Sequence, residues 1–450
     1  FTNSLAISGG GETGNVRLSL GDLRSNSIYP NSDYERNTFN LDASYKLSDK
    51  WTASANVNYT KDKANRTKVN DAPGNGNFGI MFLPPNVDAD YLDPGYDELK
   101  NEIPFGPNAF TTNPYFAANR FITETSKDRV MSVASIKYAL TDWMYVRARI
   151  ANDFYAFNAT QITPTGTAYR PAGGLDVQRT LNHNETNSDI LIGINKDLNS
   201  DFSIGVTLGG NMLSLTEKVV DVNASGFAFP FLYNPGTAAT NGASVSEPRK
   251  EIHSLYGSVE FGFRDMIYLN VTDRNDWSST LPSANNSYNY PSVNLSYIFS
   301  ETLNISWMDL GKIRAGYARV GGDASIFATN LYYGTLGAAI NGNALGNVDN
   351  NVPNANIEPL QVTEMEFGAE FDLVGGRIFT DFAIYNKQTL NDIVPVGISR
   401  GSGYQNAVVN VGKIENKGFE FLLGGVPVLT ESFKWTSTFN YTINRNEVVE

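Results

Sequence analysis

Residues 38–47 read Thr-Phe-Asn-Leu-Asp-Ala-Ser-Tyr-Lys-Leu, and residues 51–60 read Trp-Thr-Ala-Ser-Ala-Asn-Val-Asn-Tyr-Thr. Phe39, Leu41, Ala43, Tyr45 and Leu47 alternate with polar neighbours, as do Trp51, Ala53, Ala55, Val57 and Tyr59. A period of two puts the apolar set on one face of a strand and the polar set on the other. Only Ser48-Asp49-Lys50 separates the two runs, so they form a hairpin. The same alternation returns at Met365, Phe367, Ala369, Phe371 and Leu373, and again at 202–208, 255–263, 293–299 and 433–443.

Working outward, about 16 strands are expected: 2–8, 15–23, 35–47, 51–62, 127–140, 144–156, 187–196, 202–216, 252–264, 266–275, 289–299, 312–320, 361–373, 377–389, 408–423 and 433–446. Many exceed the roughly 5–6 residues usual in soluble proteins and reach the about 9–11 that a tilted strand needs to cross a bilayer. The connections also alternate. Short ones follow the odd strands, and longer ones follow the even strands at 24–34, 63–126, 157–186, 217–251, 276–288, 321–360 and 390–407. Short turns at one end and long loops at the other are the asymmetry of an outer-membrane barrel. Aromatic residues gather beside the short turns, among them Tyr45, Trp51, Tyr138, Trp143, Tyr145, Tyr297, Trp307 and Trp435. Amphipathic rings favour the headgroup level. Asn56, Asn58, Arg147, Arg149, Glu260, Arg264, Glu364, Glu366 and Glu370 are expected on the opposite, polar face.

Composition agrees with this reading. Apolar residues make up 41% of the 450, and no stretch offers the about 18 apolar residues of a membrane-spanning helix. With no Cys, disulfides and zinc–thiolate sites are excluded. A net charge of -13 repels phosphate backbones, so no nucleic-acid partner is expected.

Five blocks, in order, resemble the SusC/RagA family of TonB-linked outer-membrane proteins. The first is Ser8-Gly9-Gly10-Gly11 with Asn15-Val16-Arg17-Leu18-Ser19-Leu20-Gly21, and the second is Asn113-Pro114-Tyr115. The third runs from Leu269 to Leu281 and on to Tyr290-Pro291-Ser292-Val293. The fourth is Asn356-Ile357-Glu358-Pro359 with Glu366-Phe367-Gly368, and the fifth is Asn410-Val411-Gly412-Lys413-Ile414-Glu415-Asn416-Lys417-Gly418-Phe419-Glu420. The resemblance implies an all-β, antiparallel transmembrane β-barrel of about 22 strands, of which residues 1–450 are a partial barrel without plug or closing strands. It further implies a TonB-dependent importer of oligosaccharides or oligopeptides, multi-pass in the outer-membrane lipid. A SusD-like surface lipoprotein would act as lid, TonB would engage an N-terminal region outside this segment, and no cofactor would be needed. The competing readings are a passive large porin or protein-translocation barrel, and a surface interaction barrel that transports nothing.

Enzymatic motifs are missing from the sequence. His183 and His253 are placed in or beside loops, and Gly9 to Gly11 lacks the Lys-Ser/Thr of a phosphate loop. No catalytic, cofactor-binding or metal residues are assigned. The acidic stretch Asp88 to Glu98 is read as a solvated loop rather than a calcium site. Substrate or lid contact is assigned to loop aromatics: Tyr91, Tyr96, Phe105, Phe110, Tyr115, Phe229, Phe231, Tyr233, Tyr332 and Tyr333. Loop-on-loop packing is the competing role for these rings.

Strand edges left unpaired in hydrocarbon cost several kcal/mol per backbone group. Residues 1–450 expressed alone in liposomes are therefore expected to stay protease-sensitive. A heat-modifiable, protease-resistant species would contradict this expectation.

Overall fold

The computed structural model describes residues 1–66, 79–303, 305–341 and 343–449. Its strands are β1 (Thr2–Gly11), β2 (Gly14–Asn26), β3 (Asp33–Lys46), β4 (Trp51–Asn65), β5 (Ile122–Ala139), β6 (Met144–Thr163), β7 (Gly174–Asp197), β8 (Phe202–Phe227), β9 (Ala238–Ser246), β10 (Arg249–Phe263) and β11 (Ile267–Ser278). They continue as β12 (Ser287–Asn289), β13 (Ser292–Ile298), β14 (Met308–Gly322), β15 (Tyr333–Ile340), β16 (Asn343–Val348), β17 (Asn351–Val352), β18 (Leu360–Leu373), β19 (Ile378–Gly397), β20 (Asn406–Leu429) and β21 (Lys434–Val448). Two short helices, α1 (Pro114–Arg120) and α2 (Ser300–Leu303), lie between them. Nineteen strands share one sheet, and β15 and β16 form a separate hairpin. Every expected strand is present, and no helix among the described residues is long and apolar enough to cross a membrane.

The chain divides into two compact units. One comprises Phe1–Ser135, Ile150–Thr186 and Leu215–Arg249, and the other Ile136–Arg149, Asn187–Ser214 and Lys250–Glu450. In the first, β1 to β4 form an antiparallel meander with unbroken register from Thr2↔Leu23 through Lys46↔Thr52. In the second, β10, β11, β13, β14, β18, β19, β20 and β21 pair antiparallel in succession. Consecutive pairing satisfies each strand's backbone groups through its neighbours, the condition that hydrocarbon imposes.

The two faces separate as the alternation requires. Large apolar side chains stand exposed at every second position, as at Leu5 and Ile7, Ile190 and Ile192, Val293 and Leu295, and Met365 and Phe367. A protein surface of that kind belongs against lipid. On the polar face of the second unit, Lys312 bonds Glu370 at 3.0 Å, and Arg314 bonds Glu366 at 3.1 Å and Asp381 at 2.9 Å. These pairs border an open trough of about 690 Å³ that also meets Glu260, Asn270 and Asn294. Near the short turns Trp51, Trp143, Trp307 and Trp435 are all exposed, and Lys196 sits 4.8 Å from the Trp143 ring.

Several expectations need correction. Arg264 does not lie on the polar strand face. It lies in the tight turn before β11 with φ 52°, and its guanidinium bonds Asp201 at 3.0 Å. His183 and His253 lie on β7 and β10 rather than in loops. The long loops are also shorter and more ordered than the alternation implied. β6 and β7 leave only 164–173 of the expected 157–186 link, β8 and β9 occupy much of 217–251, and β15 to β17 occupy part of 321–360. The physical reason is solvent. β8 has 26 residues, which at about 3.3 Å each is roughly 85 Å, far longer than the about 30 Å hydrocarbon core. Beyond the bilayer a strand is wet, so its outer residues, such as Asp176 to Thr186, are polar on both faces and lose the apolar period.

Loop asymmetry sets the orientation. A Cys replacing Asn343, in the β15–β16 hairpin, is expected to react with an impermeant maleimide on intact cells. A Cys replacing Gly375, in the tight β18–β19 turn, is expected to stay unlabelled. The reverse pattern would invert the topology.

Candidate functional site

In the first unit, residues 79–121 fold into a compact outer segment around two buried polar side chains. Asn113 is 1% exposed and caps α1: its Oδ1 accepts from the Tyr115 and Phe116 amides at 3.0 and 3.4 Å. Its Nδ2 donates to the Leu92 and Ile103 carbonyls at 3.2 and 3.0 Å. One asparagine thus ties the helix start to two other parts of the loop. Glu102, 7% exposed, accepts from the Asn113 amide through Oε1 and from the Ala168 amide through Oε2, both at 2.8 Å. That carboxylate links the segment to the 164–173 connection. Gly95 has φ 83°, and a Cβ there would stand 2.2 Å from the Phe116 amide nitrogen, so the chain passes α1 only as glycine. Phe116, Ala117 and Phe121 form the buried core, with Tyr96 and Tyr169 packed against it.

The assigned aromatics take different places. Tyr96 packs on this core, Phe110 stacks on Tyr169 at 5.8 Å, and Tyr115 donates to Asp90 at 2.9 Å. Phe105 is half-buried. Tyr233 packs edge-on to Phe227, and its hydroxyl accepts from the Thr165 amide at 3.0 Å. The Phe231 ring lies 5.4 Å from the Arg120 guanidinium, and that guanidinium lies 5.6 Å from the Tyr96 ring. Tyr91 and Phe229 point into solvent at 83% and 60% exposure. Tyr332 and Tyr333 belong to the second unit and are exposed there. The structure therefore gathers Tyr96, Phe110 and Phe231 about Tyr169 and Arg120, and sets Tyr233 against Phe227 in a second cluster of the first unit. Loop-on-loop packing is real for Tyr96 and Tyr233, whereas Tyr91, Phe110 and Phe229 keep free surface.

Sequence reasoning missed Arg120, Lys100 and Glu102. Each is a lone charged residue among aromatics and prolines, a signal that apolar counting discards. The acids of 88–98 have local roles: Asp88 caps a 3-10 turn, Asp90 accepts from Tyr115, and Asp97 accepts from the Asn101 amide at 2.7 Å. Among the described residues no group of three acidic or imidazole side chains is placed to hold a metal.

The sequence blocks behave as locks in the second unit too. Arg274 bonds Asp276 at 2.7 Å and Ser254 at 2.7 Å, while Tyr290 donates to the same Asp276. Lys250 and Ser278 meet at Asp323, at 2.9 and 2.7 Å. Asn410 donates to the Glu358 and Asn391 carbonyls and accepts from the Glu358 amide at 2.9 Å, next to the fully buried Ile357. Gly412, at φ 54°, and Asn391, at φ 57°, stand opposite each other as the one gap in the β19–β20 ladder, with the register unchanged on either side.

Comparison with known proteins adds the following. The sequence family described as TonB dependent receptor-like, beta-barrel, matches residues 71–449. A TonB-dependent receptor of Formosa agariphila is 24% identical across 100% of this chain and 46% of its own length. TonB-dependent receptor SusC of Bacteroides thetaiotaomicron is 22% identical over 49% of this chain and 23% of its own. The RagAB peptide transporter superposes with a TM-score of 0.85 at 16% identity, over 99% of this chain and 51% of that one. The chain thus spans about half the length of the three relatives that it matches end to end.

Burial pushes the Glu102 carboxyl above its ordinary value near 4.5, and the amides of Ala168 and Asn113 pull the other way without cancelling it. A carboxyl raised in the folded state favours packing when protonated. The stabilising contribution is full below the unfolded value and is lost as pH rises through the raised one. Normalised amide exchange at Asn113 and Ala168 is expected to speed up across that window. Glu102→Gln should flatten the dependence, and a wild-type profile that slows with rising pH would contradict the assignment.

Proposed function

The chain belongs to the TonB dependent receptor-like β-barrel family, and from that premise we propose that it takes part in active uptake of an oligosaccharide or oligopeptide across the bacterial outer membrane, where it resides. A SusD-like surface lipoprotein closes over the outer loops. TonB supplies the energy through a region outside these residues. The chain serves as wall and mouth: its strands hold the passage in the bilayer, and its outer segments meet ligand and lid.

The observation that carries this reading is the built outer segment 79–121. Its polar centre is buried and bonded through Asn113 and Glu102, yet Tyr91 at 83%, Leu99 at 75% and Phe110 at 56% remain exposed, with Phe229 at 60% in the same unit. A loop that only covered itself would turn those side chains inward. Rigid exposed aromatics supply contact area without a large ordering cost. The names of the relatives support the transport class: the RagAB complex is a peptide transporter, and SusC is a TonB-dependent receptor.

The test uses the full-length protein in cells that carry the SusD-like lipoprotein proposed as its lid. The triple variant Tyr91→Ala, Phe110→Ala, Phe229→Ala alters exposed side chains, so assembly and heat-modifiability should be unchanged. Co-purification of the lipoprotein and ligand uptake are both expected to fall about tenfold, the loss of about 1.4 kcal/mol. Unchanged values for both would show these rings to be a cover only.

A further inference from the structure

Residues 79–121 contain six carboxylates, at Asp88, Asp90, Asp93, Asp97, Glu98 and Glu102, and two cations, at Lys100 and Arg120. Opposite charges at that density ordinarily pair. Yet among the described residues neither Lys100 nor Arg120 forms an ion pair, and the buried Nε of Arg120 has no hydrogen-bond partner. Both cations turn instead to one ring. The Lys100 Nζ lies 4.6 Å from the Tyr96 centroid and the Arg120 guanidinium 5.6 Å from it, with Phe231 flanking Arg120 at 5.4 Å. Two like charges near a single ring repel each other, and an anion bound at either would offset that repulsion.

The backbone is strained into this arrangement. Lys100 has φ 67° and Phe231 has φ 63°, the left-handed region that side-chain-bearing residues avoid. Phe231 is held there by its amide donating to the Thr165 hydroxyl at 3.2 Å. Strain of this kind persists where the surroundings over-determine it, and it concentrates at ligand clamps. Here the two strained residues supply one of the cations and one of the flanking rings. Arg120 itself is fixed by its position in the last turn of α1, whose start Asn113 holds.

We propose that Arg120 and Lys100 form a recognition point for a carboxylate carried by the captured ligand. A guanidinium pinned by two aromatic rings keeps its terminal N–H groups in a fixed plane, which suits a planar carboxylate held through two hydrogen bonds. Lys100, exposed beside it, adds a second charge. Six acids in the same segment leave Lys100 and Arg120 as its only cations. The assignment deepens the uptake reading and depends on it only for the ligand's fate after capture.

The test is binding to the purified full-length protein, with no energy source present. Two matched probe pairs separate the possible sources of the carboxylate: acetyl-trialanine against its C-terminal amide, and trigalacturonate against its methyl ester. In at least one pair the acid should bind about tenfold more tightly than its uncharged partner, and the difference should shrink as salt rises. Arg120→Met with Lys100→Met should erase the preference, and Arg120→Lys should keep part of it. Lys100 is exposed, so Lys100→Met alone folds in any case and should lower the preference about threefold. No acid preference in either pair, or a preference unchanged in Lys100→Met, overturns the assignment. Energy-dependent uptake is scored separately. Accumulation that persists in cells lacking TonB would sink the uptake reading and leave the binding result intact.

Discussion

A backbone amide or carbonyl left unpaired in hydrocarbon costs several kcal/mol, and everything else in this chain follows from avoiding that cost. The strands must pair in unbroken succession, so β1 to β4 form an antiparallel meander and β10, β11, β13, β14, β18, β19, β20 and β21 pair antiparallel one after another. Pairing then leaves two faces, one toward lipid and one toward polar surroundings. The side chains obey this division, with Met365 and Phe367 exposed on one face while Glu366 and Glu370 bond Arg314 and Lys312 on the other.

Outside the bilayer the constraint relaxes, and a different kind of order takes over. The outer segments hold small separate apolar clusters, and buried or half-buried polar residues tie the chain between them. Asn113, Glu102, Asp276, Asp323 and Asn410 each bridge pieces of chain that are distant in sequence. Most lie in or beside the blocks by which the sequence resembles its family. Those blocks are therefore read as structural locks, and Tyr91, Phe110 and Phe229 outside them keep exposed surface.

The membrane-spanning part was legible because lipid enforces the period of two: 38–47 and 51–60 announced β3 and β4 to within a few residues. The outer halves of β7 and β8 were not legible, because water on both sides of Asp176 to Thr186 erases the contrast between faces. The short strands β9 and β15 to β17 escaped for the same reason. In the candidate site, the aromatic rings stood out by composition. Arg120, Lys100 and Glu102 did not, because their importance lies in what they fail to pair with or in amides 11 and 66 residues away, and spacing along the chain carries no trace of either.

The central claim is that the apolar set of each strand faces lipid and the polar set does not. It is tested most directly by scanning spin labels singly from 361 to 373 along β18 of the full-length protein in bilayers, reading collisions with oxygen against those with a water-soluble nickel complex. The account predicts a period of two, with oxygen access highest at 365 and 367 and nickel access higher at 364 and 366. A flat profile, or one with 364 and 366 as the oxygen-accessible positions, would contradict it.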